Sequence, residues 1–191
     1  MKLRRLVVIG SSWGGFHALS RILSALPEGL DAPVAVVQHR LPDSNDGHFA
    51  TFYAKRSSLP VVAVEDKEPV LPGHVYIAPA DYHLLIDDGY FALSTEGAVQ
   101  FSRPSIDVLF ESAAQAHGSA VIGVILTGAN EDGAAGLSAI ARAGGTTIVQ
   151  DPASAERREM PDAALAATDV DEVLSLDEIG HHLVTLVGRT S

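Results

Sequence analysis

The chain has 191 residues, 47% of them hydrophobic, enough for one domain with a sizeable buried core and no need of covalent staples. There is no cysteine, so disulfides, zinc ribbons and thiol nucleophiles are excluded, and any hydrolysis falls to a serine or a metal. A net charge of −11 with no block of five like charges disfavours a nucleic-acid partner, and the first apolar run is too short for a signal-peptide core or a membrane span. The expectation is a cytoplasmic protein, residues 1–191 forming a single domain, with no membrane insertion.

Taken in order, Leu6 to Ile9 is a strand, followed by a helix whose apolar positions are Phe16, Leu19, Leu23 and Leu26. Val34 to Val37, Val61 to Val64 and Val75 to Ala78 are further strands. Leu84 to Leu93 breaks the rhythm: Asp88-Gly89 lies between two strand-like segments and predicts a β-hairpin inserted in the sheet. Ile106, Leu109, Phe110 and Ala113 mark a helix, Val121 to Leu126 the strongest strand, Leu137 and Ile140 another helix, and Thr146 to Val149 a weaker strand. Asp177 to Val187 predicts a closing helix capped by Asp177. The strand runs are rich in Val and Ile and do not alternate, as strands buried on both faces do. Such strands interleaved with amphipathic helices predict an α/β fold: a doubly wound, mostly parallel sheet with helices on both faces.

In such a sheet ligands bind where the carboxyl ends of the strands share an edge, so the turns after the strands matter most. The first is Gly10-Ser11-Ser12-Trp13-Gly14-Gly15, leading into a helix whose N-terminal N–H groups suit an oxyanion; Ser12 there is a candidate nucleophile. A phosphate loop or a plain helix-capping serine are the alternatives, although G-x-G-x-x-G is absent. The second strand is followed by Gln38-His39, and imidazole is the usual base for a serine hydroxyl, though a histidine in such a place is often structural. After the strongest strand comes Thr127-Gly128-Ala129-Asn130-Glu131-Asp132-Gly133, where Asp132 can orient the imidazole or cap the next helix. The remaining histidines, His48 in a polar loop among them, show no metal-ligand spacing with a third ligand, so no metal or cofactor is expected.

Ile9-Gly10-Ser11-Ser12-Trp13-Gly14-Gly15, Gln38-His39, Pro72 to Pro79, Arg103-Pro104-Ser105-Ile106-Asp107, Leu126-Thr127-Gly128 and Asp132-Gly133-Ala134-Ala135-Gly136 occur in an order that resembles the catalytic domain of the chemotaxis protein-glutamate methylesterases. The resemblance runs from about Leu6 to about Leu165. It implies a triad of Ser12, His39 and Asp132. It also implies hydrolysis of glutamate γ-methyl esters on the cytoplasmic helices of methyl-accepting chemotaxis receptors, with deamidation of receptor glutamines as a second activity.

Three places depart from the family pattern: Trp13 stands where a small residue, often threonine, is usual, Ala129-Asn130-Glu131 replaces Met-Gly-Asn/Arg, and Arg157-Arg158-Glu159 replaces an apolar-Gly segment. These departures leave room for an esterase of the same fold with another substrate, or for a non-catalytic receptor-binding module. The receiver domain that commonly precedes this domain in the family needs on the order of 100 residues, which the stretch before Leu6 does not supply. Because the chain is acidic, binding an acidic receptor calls for a basic patch, for which Arg40, Arg103, Arg157 and Arg158 are the candidates.

Overall fold

In a computed structural model, which describes residues 3–188, each apolar run forms a strand. The elements are β1 (Leu6–Ser11), α1 (Gly15–Ala25), β2 (Val34–Gln38), α2 (Asp46–Ala54), β3 (Val61–Ala63), β4 (Val75–Ile77), β5 (His83–Ile86) and β6 (Phe91–Ser94). They continue with α3 (Ile106–His117), β7 (Val121–Ile125), α4 (Ala134–Arg142), β8 (Thr146–Gln150), α5 (Glu159–Ala167), β9 (Glu172–Leu174) and α6 (Leu176–Val187). Seven strands pair in parallel in the order β3-β4-β2-β1-β7-β8-β9.

Alternation along the strands splits the apolar residues between two layers. Val7, Ile9, Val34, Val36, Ile122 and Val124 face a core shared with Leu19, Ile22 and Leu23 of α1 and Ile179 and Leu183 of α6. Leu6, Val8, Ala35, Val37, Val121 and Ile125 face the other, shared with Ile106, Leu109 and Phe110 of α3 and Leu137 and Ile140 of α4. Burial on both faces is what the unbroken Val/Ile runs require. The expected doubly wound sheet with helices on both faces is the one that forms.

The chain order reverses at β1, which has β2 on one side and β7 on the other. This is the topological switch point, where the loops after adjacent strands splay apart and leave a crevice. Ser12 follows β1, His39 follows β2, and the 126–133 loop follows β7. All three predicted turns therefore open on one edge.

Four details differ from the sequence reading. The hairpin forms, with Leu84 opposite Leu93, but β5 and β6 make a separate two-stranded sheet rather than joining the main one. Its anchor is α3, whose Ser112 hydroxyl accepts the Ile86 N–H at 3.1 Å. Helix α6 is capped by Ser175, not Asp177: the Glu178 carboxylate turns back to accept the Ser175 N–H at 2.9 Å. The stretch around His48 is helix α2 rather than loop, begun by Asn45, whose side chain accepts the His48 N–H. Helix α5 and strand β9 also lay outside the reading.

Candidate active site

The β1–β2 register puts Ser11 beside Gln38, so Ser12 and His39 are the next pair along, and the His39 N–H donates to Ser11 O at 2.9 Å. Gln38 fastens both strand ends. Its Oε1 accepts from the Ser11 hydroxyl at 2.6 Å, and its Nε2 donates to Ser12 O at 2.8 Å and His39 O at 3.1 Å. The Ser12 N–H donates to Thr127 O at 3.0 Å, which ties the turn after β1 to the loop after β7. Gly14 takes φ +77°, a left-handed conformation that side chains resist, and the turn passes from there into α1.

Asp132 is wholly buried and every oxygen of its carboxylate is used. Oδ2 lies 2.7 Å from His39 Nε2 and accepts the Ile106 N–H at 2.7 Å; Oδ1 accepts the Ser105 hydroxyl at 2.8 Å and the Asp107 N–H at 3.0 Å. Asp132 thus caps a helix, but a neighbouring one: its backbone donors come from the start of α3. Asp107 returns the exchange, its Oδ1 accepting the N–H groups of Gly133 at 2.9 Å and Gly136 at 2.7 Å at the start of α4. Each helix N-terminus holds the other loop's carboxylate, a charge-assisted arrangement that helix dipoles favour.

The two carboxylates are pushed in opposite directions. Burial acts against the Asp132 charge, but the bonds from His39 and from the Asp107 and Ile106 N–H groups outweigh it and hold the pKa below the ordinary value. For Asp107 burial prevails over its two backbone bonds and, with Asp132 nearby, raises the pKa to about 6. Asp132 therefore stays an anion facing the imidazole, and the hydrogen bond fixes His39 with Nε2–H toward Asp132 and Nδ1 free to accept.

Among the described residues the Ser12 hydroxyl makes no hydrogen bond, so the structure brings His39 and Asp132 into contact and leaves Ser12 alongside. The near neighbours of His39 Nδ1 are two residues that the sequence reading did not single out as catalytic: Ser102 Oγ and Asn130 Nδ2, each at 3.5 Å. Asn130 had a weak signal, two residues before Asp132 in a loop after a strand. Ser102 had none, because its loop reaches the site from the far side of the hairpin.

The four candidate arginines are each paired with a carboxylate rather than gathered as free charges. The Arg40 side chain is 7% exposed and is bound to Asp46 and to Ala78 O, and Arg103 is bound to Asp81 and to the carbonyls of Thr95 and Glu96. Arg158 pairs with Asp162 one turn along α5. Arg157 lies 4.0 Å from the Glu159 carboxylate and borders the turn after β1, its guanidinium 5.4 Å from the Trp13 ring centroid. Trp13 is 60% exposed, and its Nε1–H donates to Glu156 at 3.0 Å; with Arg157 over its ring, two departures from the family pattern meet on one rim. On the other side of His39 lies a cleft of about 300 Å³ lined by Arg40, Asp81, Phe101, Ser102 and Arg103 among others.

Comparison with known proteins supplies the family. The family model described as CheB methylesterase matches residues 7–183. A Leptospira interrogans protein described as a putative protein-glutamate methylesterase/protein-glutamine glutaminase is 46% identical over 181 residues, covering 94% of this chain and 93% of that one. A Bordetella parapertussis protein-glutamate methylesterase/protein-glutamine glutaminase is 40% identical over 189 residues, 96% of this chain and 53% of the relative, so the chain spans about half of that protein. The crystal structure of the Thermotoga maritima CheB methylesterase catalytic domain superposes with a TM-score of 0.91 at 37% identity, over 96% of this chain and 98% of that one.

Proposed function

The chain belongs to the CheB methylesterase family, and from that premise we propose that it is a serine hydrolase that removes γ-methyl esters from glutamates on methyl-accepting chemotaxis receptors, releasing methanol, and that deamidates receptor glutamines. Both cores flank one sheet, which supports a single catalytic domain. The observation that carries the chemistry is the 2.7 Å bond between His39 Nε2 and the buried, ionised Asp132.

With Nε2–H committed to Asp132, Nδ1 is the base. It takes the proton of Ser12 as Oγ attacks the ester carbonyl, and Asp132 stabilises the imidazolium that results. The proton then passes to the departing methoxide, leaving the glutamyl group on Ser12. Since the Ser12 N–H is occupied by Thr127, the N–H groups of Trp13 and Gly14 at the start of α1 are our assignment for the oxyanion donors.

The Trp13–Glu156 contact favours a second reading, in which the same triad serves a different ester. Methanol release from methylated receptor separates the two. Wild-type protein is expected to release it, and Ser12→Ala to release none. Release that persists in the variant overturns the nucleophile, and a folded wild type that cleaves other esters but not methylated receptor supports the second reading.

A further inference from the structure

Three polar atoms face one another beside the triad. His39 Nδ1, Ser102 Oγ and Asn130 Nδ2 are each 3.5 Å from the other two. That separation is long for direct hydrogen bonds, and a polar contact so stretched is commonly bridged by water. An oxygen about 2.9 Å from all three corners fits above such a triangle at ordinary hydrogen-bond length. Ser102 and His39 also line the cleft of about 300 Å³, so this spot is served from the side away from β1.

Ser102 is presented by a tight turn in which Val99 and Ser102 exchange backbone hydrogen bonds of 3.1 and 2.8 Å, with Gln100 and Phe101 both left-handed at φ 50° and 62°. Asn130 sits in the loop that carries Asp132, and its Oδ1 is buried with no hydrogen-bond partner among the described residues. The amide is therefore not held by its oxygen. The polar contacts of the side chain are those of Nδ2 with His39 and Ser102.

From this geometry we infer that Ser102 and Asn130 are positioning residues for the water that hydrolyses the acyl-enzyme, an inference that rests on Ser12 as nucleophile. The donors and acceptors match one water molecule. One O–H donates to His39 Nδ1 and the other to Ser102 Oγ, Asn130 Nδ2 donates to one lone pair, and the second lone pair remains to attack the carbonyl. As the water oxygen bonds to the acyl carbon, its proton moves to Nδ1. The tetrahedral intermediate then collapses, the carbon–Oγ bond breaks, and Nδ1 returns the proton to Ser12 Oγ. The freed glutamic acid loses its own proton to solvent, so atoms and charges balance and no further reactant is needed. Methanol leaves during acylation, before this water acts.

The test uses methylated receptor in excess over enzyme, with methanol followed in time. Asn130→Ala and Ser102→Ala are expected to release the first equivalent within about threefold of the wild-type rate and then turn over about tenfold or more slowly. An ester-linked enzyme–receptor conjugate accumulates and survives denaturation. Hydroxylamine, a nucleophile that needs no base, discharges it and restores turnover, and Ser102→Thr, which keeps the hydroxyl, turns over near the wild-type rate. First and later turnovers slowed alike, or both unchanged, overturn the inference. Should Asn130→Ala not fold, the Ser102→Ala and Ser102→Thr pair decides. Ser12→Ala run alongside keeps the failures apart: if it still releases methanol the nucleophile is wrong, whereas if it is inert and the other variants behave as wild type, only the water site is wrong.

Discussion

Asp132 holds three kinds of donor at one carboxylate: the His39 ring, the Ser105 hydroxyl and the first N–H groups of α3. Removing it leaves buried donors unpaired, so Asp132→Ala is expected to cost about 2–4 kcal/mol of stability in urea denaturation as well as activity. Ser12→Ala, whose hydroxyl makes no hydrogen bond among the described residues, should change stability by no more than about 0.5 kcal/mol. Asp132→Asn sets an amide NH2 against one of the two α3 N–H donors and removes the charge behind His39, so it is expected to cost about 1–3 kcal/mol of stability and to lose about 10³–10⁴-fold in turnover. Asp107 makes a prediction about pH. Its pKa of about 6 in the folded chain exceeds the ordinary 3.8, so between those values the native state holds a proton that the unfolded chain has released. Its contribution to stability therefore falls as pH rises from about 4 to 6, by on the order of 3 kcal/mol. Asp132 has the opposite sign: its contribution is present above the ordinary carboxylate value and is lost below it. Asp107→Asn keeps an oxygen for the Gly133 and Gly136 N–H groups, so comparing its urea midpoints with wild type at pH 4.5 and 7 isolates the effect. A variant whose stability tracks wild type across that window contradicts it.

At the scale of elements, the placement of α3 across β1 sets the site. A Cβ on Gly10 would lie 2.3 Å from Ile106 Cγ2, so the helix start that holds Asp132 approaches the strand only because residue 10 is glycine. Gly10→Ala is expected to destabilise the wild type by about 1–3 kcal/mol, and to cost less when made on Ile106→Ala, which lacks the opposing Cγ2, relative to that parent. Melting temperatures of the two pairs check it; equal destabilisation of both parents would contradict the close approach. The elements legible in the sequence are those with a period. β1, β2, β7 and β8 are Val/Ile runs, and α1 and α3 repeat apolar residues three or four apart. Helix α2 escapes because Asp43 to Gly47 reads as a polar loop, although Phe49, Phe52 and Tyr53 beyond it stand three and four apart as one helix face does; their rings cluster with Phe16. Helix α5 is alanine-rich with Pro161 near its start, and β9 is a three-residue edge strand. The hairpin's own pairing is local and could be read from Asp88-Gly89, but its docking on α3 instead of the sheet edge is a long-range choice that no local signal announces.

For the whole molecule, the reversal of strand order at β1 does most to create function, because it makes three loops distant in sequence share one crevice. That convergence was legible: Ser12, His39 and Asp132 each follow a run that had to be a buried strand. The partners that orient them were less so. Gln38 lies between two of the motifs, Asp107 reads as an ordinary first-turn acid, and the meeting of Ser102 with Asn130 depends on the packing of the 97–104 segment against the loop after β7. The four arginines that were candidates for a basic patch each stand beside a carboxylate: Arg40 by Asp46, Arg103 by Asp81, Arg157 by Glu159 and Arg158 by Asp162. Of the two serines, Ser12 is proposed as the attacking group and Ser102 as the residue that positions water at His39. A single turnover with enzyme in excess over methylated receptor, measured as methanol released, tests that assignment most directly. Ser12→Ala should release none and Ser102→Ala close to the wild-type amount at close to the wild-type rate; methanol from Ser12→Ala, or its loss in Ser102→Ala alone, would contradict it.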